Sequence, residues 1–267
     1  MAGSMITAFL REKGHNVHIT TRNKNSSTSI FFDVLENYKE LENIIAEINP
    51  QFIINCIGVL NQFAEENKAN SILINSFLPH YLDFLSNKLN FKLIHISTDC
   101  VFEGDRGNYI ESDLPNASSF YGKTKALGEI NNDRNLTFRT SIVGPDINKD
   151  GIGLFNWFMI QEGNINGFSN VVWTGVTTLE LAKAIEKSFN LNVTGLYHLV
   201  NNKKINKFEL LKLFKKYTQK DVDIKEDDSH ISNKSLINNR KDFDFKIPDY
   251  SDMIEEMCKW ITNHKKI

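Results

Sequence analysis

The sequence predicts an α/β protein built on a doubly wound parallel sheet, with a smaller second lobe at the C-terminus. Three observations predict it. Through the first half, apolar β-branched runs alternate with amphipathic stretches, the pattern of repeated strand-helix units. The 267 residues are 41% hydrophobic and 24% charged, enough for one sizeable core with a satellite and no need of disulfides or structural metal. Ser97-Thr98-Asp99 closes a strongly apolar run, which places polar groups at the carboxyl end of a strand, where parallel sheets hold their ligands.

Taken in order, the β-branched and apolar runs predict strands over 16–21, 52–57, 92–97 and 137–143. Helical periodicity lies between them, over 38–48, 69–88 and 121–131, and the first of these stops near Asn49-Pro50 because proline disfavours the helical conformation in the residue before it. After Gly144-Pro145 the regularity weakens. Residues 146–167 are rich in Gly and Asn, carry Phe155, Trp157 and Phe158, and read as irregular structure facing a substrate. A strand at 171–173, a helix at 178–189, a strand at 197–200 and helices at 207–217 and 250–263 follow, and the polar stretch 225–239 reads as a surface connection.

With 31 basic and 33 acidic side chains, no overall field recruits nucleic acid or an anionic membrane, so any anionic ligand needs a local site. Cys56, Cys100 and Cys258 have neither metal-cluster spacing nor the even count of a disulfide framework, and the seven histidines show no ligand spacing at a plausible site. No metal is expected. Nothing approaches the roughly 20 apolar residues of a membrane span, and no signal-peptide core is present, so the expected compartment is the cytoplasm.

The chemistry is concentrated at Tyr121-Gly122-Lys123-Thr124-Lys125, which opens a helical stretch and puts Tyr121 and Lys125 on one face at i, i+4. A nearby cation favours an ionised phenol, so Lys125 is expected to lower the pKa of Tyr121, and the Thr98 hydroxyl to orient a carbonyl beside it. On helices this spacing also arises with a packed tyrosine and a solvated lysine. The Ser-Thr-Asp strand end some twenty residues upstream is what favours a carbonyl reduction site.

The segments S-T-D-C-V-F-E-G at 97–104, Y-x-E-x-D at 109–113 and Y-G-K-T-K-A-L-G-E at 121–129 resemble the extended short-chain dehydrogenases, and within them the dTDP-4-dehydrorhamnose reductase family. The likeness continues through Arg139-Thr140-Ser141 and Trp173-Thr174-Gly175-Val176-Thr177. It implies a Rossmann-like dinucleotide-binding domain over 1–145 and a substrate lobe over 146–267, with 171–200 returning to the first sheet. It further implies NADPH-dependent reduction of the 4-keto group of an NDP-4-keto-6-deoxyhexose for cell-surface polysaccharide precursors. Tyr121 would be the proton donor, Lys125 would hold the nicotinamide ribose, and Thr98 would bind the substrate oxygen, with Asp99, Trp173 and Thr177 lining the substrate site. Asn75 loosely matches a polar position of the family.

On the cofactor side the resemblance implies Gly3, Arg22, Asp33, Cys56, Ile57, Gly58, Ser97 and Ser141. Arg22 stands where an arginine accommodates the 2′-phosphate of NADP, so NADPH is expected, with NADH possible. Asp33 matches a position at the adenine edge. The family opens with a strand and a Gly-x-x-Gly-x-x-Gly turn, of which only Gly3 is present, and the chain is therefore expected to lack that strand and most of the loop. Cys100 replaces the glutamate a 4,6-dehydratase would need beside Asp99, which disfavours elimination chemistry. A 4-epimerase using the same Tyr and Lys, and a non-catalytic regulatory subunit of the same fold, are the alternatives. A homodimer is compatible with the resemblance.

Overall fold

The computed structural model of the chain describes residues 1–146, 151 and 153–264. Its centre is a four-stranded sheet in the order Gly195–His198, Leu136–Thr140, Lys92–Thr98, Phe52–Asn55. Every ladder in it is parallel, so each connection must cross over, and helices cover both faces. The Lys92–Thr98 strand shows this residue by residue. Leu93 packs into a cluster with Leu41 and Ile45 of helix Glu40–Ile48 and Leu82 and Leu85 of helix Leu78–Leu89, while its neighbour Ile94 packs into the opposite cluster with Met5, Phe9, Leu181 and Ile185. A strand buried on both faces has no solvent side to be polar, which is why this run carries no polar alternation.

Helix Ala2–Glu12 buries Met5, Ile6, Phe9 and Leu10 and packs on helix Thr178–Ser188. The predicted strand 16–21 shortens to Thr20–Thr21, which pairs in parallel with Ile30–Phe31 as a sheet of its own. Among the described residues no ladder joins this pair to Phe52–Asn55, whose outer side is the margin of the central sheet. Helix 38–48 is Val34–Asn37 followed by Glu40–Ile48. The stretch expected as a helix over 69–88 is Lys68–Ser71, a π-helical turn at Ile72–Phe77, then Leu78–Leu89. Pro79 has no amide to give, and the widened turn directly before it puts the proline in the opening turn of the next stretch, where none is needed.

The C-terminal part departs further from expectation. Within 146–167, residues 147–150 and 152 lie outside the described residues, but helix Leu154–Ile160 and strand Gly163–Phe168 give the remainder regular structure. The expected surface connection holds strand Val222–Asp227, parallel to Gly163–Phe168, and strand Ser232–Asn233. Alternation explains both corrections: Ile165 and Gly167 face inward between exposed asparagines, and Val222 and Ile224 face inward beside exposed Asp223 and Lys225. Gly167 has to be glycine, because a Cβ there would stand 2.9 Å from the Cα of Phe208. Val171–Trp173 lies between Ile205–Asn206 and Ser232–Asn233 in a small sheet, whereas Gly195–His198 joins the central one. Among the described residues no helix is long and apolar enough to cross a membrane.

Candidate active site

Lys92–Thr98 carries Ser97 and Thr98 to its carboxyl end, where a single turn, Asp99–Val101, begins. Thr98 Oγ1 accepts from the Cys100 amide at 3.1 Å and donates to Asp99 Oδ1 at 3.2 Å. The Tyr121 phenol lies beside the same hydroxyl. Tyr121 reaches it from the first turn of helix Phe120–Leu127, which Ser119 caps by accepting from the Gly122 amide at 3.1 Å. Gly122 sets the approach: a Cβ there would lie 2.2 Å from the Cys100 carbonyl oxygen. Only a residue without a side chain lets this helix rest on the Asp99–Val101 turn, and that close packing brings phenol and threonine together.

Tyr121 and Lys125 are 8% and 4% exposed, so both belong to the interior rather than to a solvated helix face. The expected lowering of the phenol pKa is not what the structure shows. Burial raises it above its ordinary 10.0, Cys100 and Asp99 add to the rise, and the neighbouring Thr98 hydroxyl opposes it. Lys125 directs its Nζ elsewhere, donating to the Ile96 carbonyl at 2.7 Å and lying 3.4 Å from His95 Nε2. Burial brings the lysine down from 10.5 to about 8, with Glu129 and Cys56 pulling it back up. Burial also raises the Asp99 carboxyl, against Lys207 and Lys234, which face it from the C-terminal part.

Ser97 points its Oγ at Glu129 Oε1, 2.6 Å away, and Glu129 holds the Arg139 guanidinium through Nε at 2.8 Å and Nη2 at 2.5 Å. Arg139 Nη1 in turn lies 3.0 Å from His198 Nε2, and His198 Nδ1 lies 2.9 Å from the Ile237 carbonyl. Burial first and Arg139 second bring His198 down to about 3, so the ring is neutral, donates to Ile237 and accepts from Arg139. Ser97 is therefore anchored in a buried ionic chain that ties the central sheet to the segment around Ile237.

The other expected site residues divide. Ser141 accepts from Trp173 Nε1 at 2.9 Å, and Trp173 is 2% exposed, so this pair is packed core at the edge of the site. Thr177 is fully buried and caps helix Thr178–Ser188 by accepting from the Glu180 amide at 3.1 Å; the structure uses it as a cap and does not bring it to the phenol. Asp33 likewise caps Val34–Asn37 through the Leu35 amide at 2.9 Å. Arg22 is exposed just beyond Thr20–Thr21, and Ile57 and Gly58 are exposed just beyond Phe52–Asn55. Cys56 is close enough to Gly3 that a Cβ on the glycine would make ordinary contact at 3.7 Å. The Cys56 and Cys100 thiols are each pushed up to about 12 by burial, which makes them packing groups rather than nucleophiles. Asn75 fills a structural place, accepting from the Val59 amide at 2.8 Å and donating to the Val59 carbonyl at 2.9 Å and to Thr124 Oγ1 at 3.1 Å.

Sequence reasoning passed over Gly122 and His95. A glycine directly after the tyrosine in the first helical turn was a usable signal for the first, and a lone histidine inside Leu93-Ile94-His95-Ile96 for the second.

A family model described as RmlD substrate binding domain matches residues 1–259. The spore coat polysaccharide biosynthesis protein SpsK of Bacillus subtilis (strain 168) is 24% identical over 174 residues, 63% of this chain and 61% of the relative, so the match spans less than two thirds of that protein's length. A hypothetical dTDP-4-dehydrorhamnose reductase from Sulfolobus tokodaii has a solved structure that superposes with a TM-score of 0.77 at 26% identity, covering 93% of this chain and 94% of that one. A dTDP-4-dehydrorhamnose reductase from Bacillus anthracis, solved in complex with NADP, superposes with a TM-score of 0.82 at 20% identity over 96% and 94% of the two chains, a likeness of fold.

Proposed function

The chain belongs to the RmlD substrate binding domain family, and from that premise we propose that it is a nucleotide-sugar reductase, carrying out NADPH-dependent reduction of the 4-keto group of an NDP-4-keto-6-deoxyhexose for polysaccharide precursors. The observation that carries this reading is the buried Tyr121 phenol placed beside Thr98 at the carboxyl end of the central strand. A phenol whose pKa burial has raised stays protonated across the neutral range, the state a proton donor needs. A nicotinamide cofactor bound here would supply the hydride to the carbonyl carbon. Tyr121 would give its proton to the carbonyl oxygen, and Thr98 would orient that oxygen against the phenol.

The residues on the cofactor side fit a phosphate-bearing dinucleotide. Helix Ala2–Glu12 has no acidic residue in its own first turn, while Asp146 Oδ1 holds the Met1 amine at 3.0 Å at that end, so an anion there would compete with this carboxylate. Arg22 would face a 2′-phosphate, and Gly3, Cys56, Ile57, Gly58, Ser97 and Ser141 would flank the remainder.

The test is NADPH consumption by the full-length protein against a panel of NDP-4-keto sugars. Tyr121→Phe should lower kcat by about 10²-fold or more, the scale of a lost general acid. Full activity in that variant would sink the mechanism. Arg22→Ala should raise KM for NADPH while leaving that for NADH unchanged; equal effects on both would remove Arg22 from the cofactor site.

A further inference from the structure

His95 is fully buried, 0% exposed, in the middle of the central strand, and its Cα register partner on the next strand is Asn55. Partners in a parallel ladder share a face, so Asn55, His95 and the Lys125 amine meet in one closed space above the sheet. Asn55 Nδ2 lies 3.1 Å from His95 Nδ1, and Asn55 Oδ1 accepts from the Ile57 amide at 3.1 Å. A backbone N–H can only donate, which fixes the oxygen on that side and turns the amide NH2 toward the imidazole. His95 Nδ1 must then accept. A neutral imidazole that accepts at Nδ1 carries its hydrogen on Nε2, the atom facing Lys125 Nζ at 3.4 Å.

This arrangement discriminates between the two forms of the lysine. An amine can donate to the Ile96 carbonyl and accept from His95 Nε2–H. An ammonium can only donate, so it meets a second donor at Nε2 unless the imidazole moves its proton to Nδ1, and that in turn sets Nδ1–H against the Asn55 NH2. Rotating the Asn55 amide to relieve this would put its NH2 against the Ile57 amide. The conflict has no exit inside the cluster.

We propose that Asn55 and His95 are positioning residues that lower the proton affinity of Lys125 in the core, so that the cation of the catalytic site is fully favoured only when Nζ leaves His95. The groups that face Lys125 from the packed elements are His95, Glu129, Cys56 and, one turn back on its own helix, Tyr121; His80 acts on His95 from helix Leu78–Leu89. Glu129 works against the pair by favouring the ammonium, and burial outweighs it in bringing Lys125 down to about 8. The bearing of this on turnover rests on the reductase reading; the proton placement does not.

Nuclear magnetic resonance on histidine-labelled wild-type protein reads the placement directly, with no variant that could misfold. The Nε2–H tautomer of His95 at about pH 9, where the amine form of Lys125 predominates, is the expected result, and an Nδ1–H tautomer or an imidazolium there overturns the proposal. On lysine-labelled protein, with Lys125 assigned by Lys125→Met, His95→Gln should raise the Lys125 titration midpoint by about one pH unit or more, since the amide oxygen of glutamine accepts from an ammonium. An unchanged or lower midpoint overturns it. Asn55→Asp keeps the Ile57 bond and accepts from Nδ1–H, so it should switch His95 to the other tautomer; retention of Nε2–H overturns the proposal. If the tautomer and midpoint behave as expected while no keto sugar is reduced, the reductase reading fails and the proton placement stands. If reduction proceeds with a pH profile unmoved by His95→Gln, the reverse holds.

Discussion

Burial acts in opposite senses on the two side chains of the Tyr121 and Lys125 pair, raising the phenol and lowering the amine, so it favours the uncharged form of both. Their spacing and their place after Ser97-Thr98-Asp99 were readable from the sequence, because i, i+4 and strand-end position are local properties. The direction of their pKa shifts was not, because burial depends on what helix Phe120–Leu127 packs against, and that is settled by Gly122 on the Cys100 carbonyl and by Lys125 on Ile96. The same holds for Ser97, whose partner Glu129 is itself held by Arg139 at 2% and 8% side-chain exposure for the two members of the pair. Breaking a buried pair of this kind leaves one charge unmatched. Glu129→Gln should cost about 3–5 kcal/mol in urea unfolding, and a loss under about 1 kcal/mol would show that the pair is dispensable.

At the scale of elements, glycine and proline explain most of what the hydrophobic periodicity missed. The helix expected over 121–131 ends at Leu127 because Gly128 must pass the Asn75 backbone, where a Cβ would stand 1.9 Å from its carbonyl oxygen. Gly128→Ala should destabilise the protein by roughly 1–3 kcal/mol, the usual cost of forcing extra volume into a packed contact. Pro79→Ala should change stability by no more than about 1 kcal/mol, since the π-helical turn has already placed that residue where no amide is required. Thermal unfolding of the two variants side by side checks both, and equal shifts would contradict the account. The strands at Gly163–Phe168 and Val222–Asp227 were hidden for a different reason. Their inward positions are Ile165, Gly167, Val222 and Ile224, too few and too small to stand out from a polar background until the two segments pair.

Across the whole molecule, two buried neutral histidines couple the fold to acid. His198 sits at about 3 and His95 well below 6.5, both chiefly through burial, so each binds its proton more readily in the unfolded chain. Their contribution is fully present above pH 6.5 and is lost as pH falls through 6.5 toward the folded values. Lys125, lowered to about 8, adds stability on the alkaline side as pH rises from about 8 to 10.5. Denaturant midpoints measured from pH 9 down to pH 4 should therefore decline steadily below pH 6.5; a flat profile there would mean that the histidines are not neutral in the fold. The α/β class and the parallel order of the central strands were legible from the alternation of strand and helix patterns. Their division into separate sheets was not, since the number of strands predicted does not say which of them share ladders. That division has a consequence in time. Among the described residues Phe52–Asn55 pairs on one side only, so its successive amides point alternately into the ladder and away from it. Hydrogen-deuterium exchange along these four residues should alternate between slow and fast, whereas Lys92–Thr98, paired on both sides, should be slow throughout and open only when the whole sheet does.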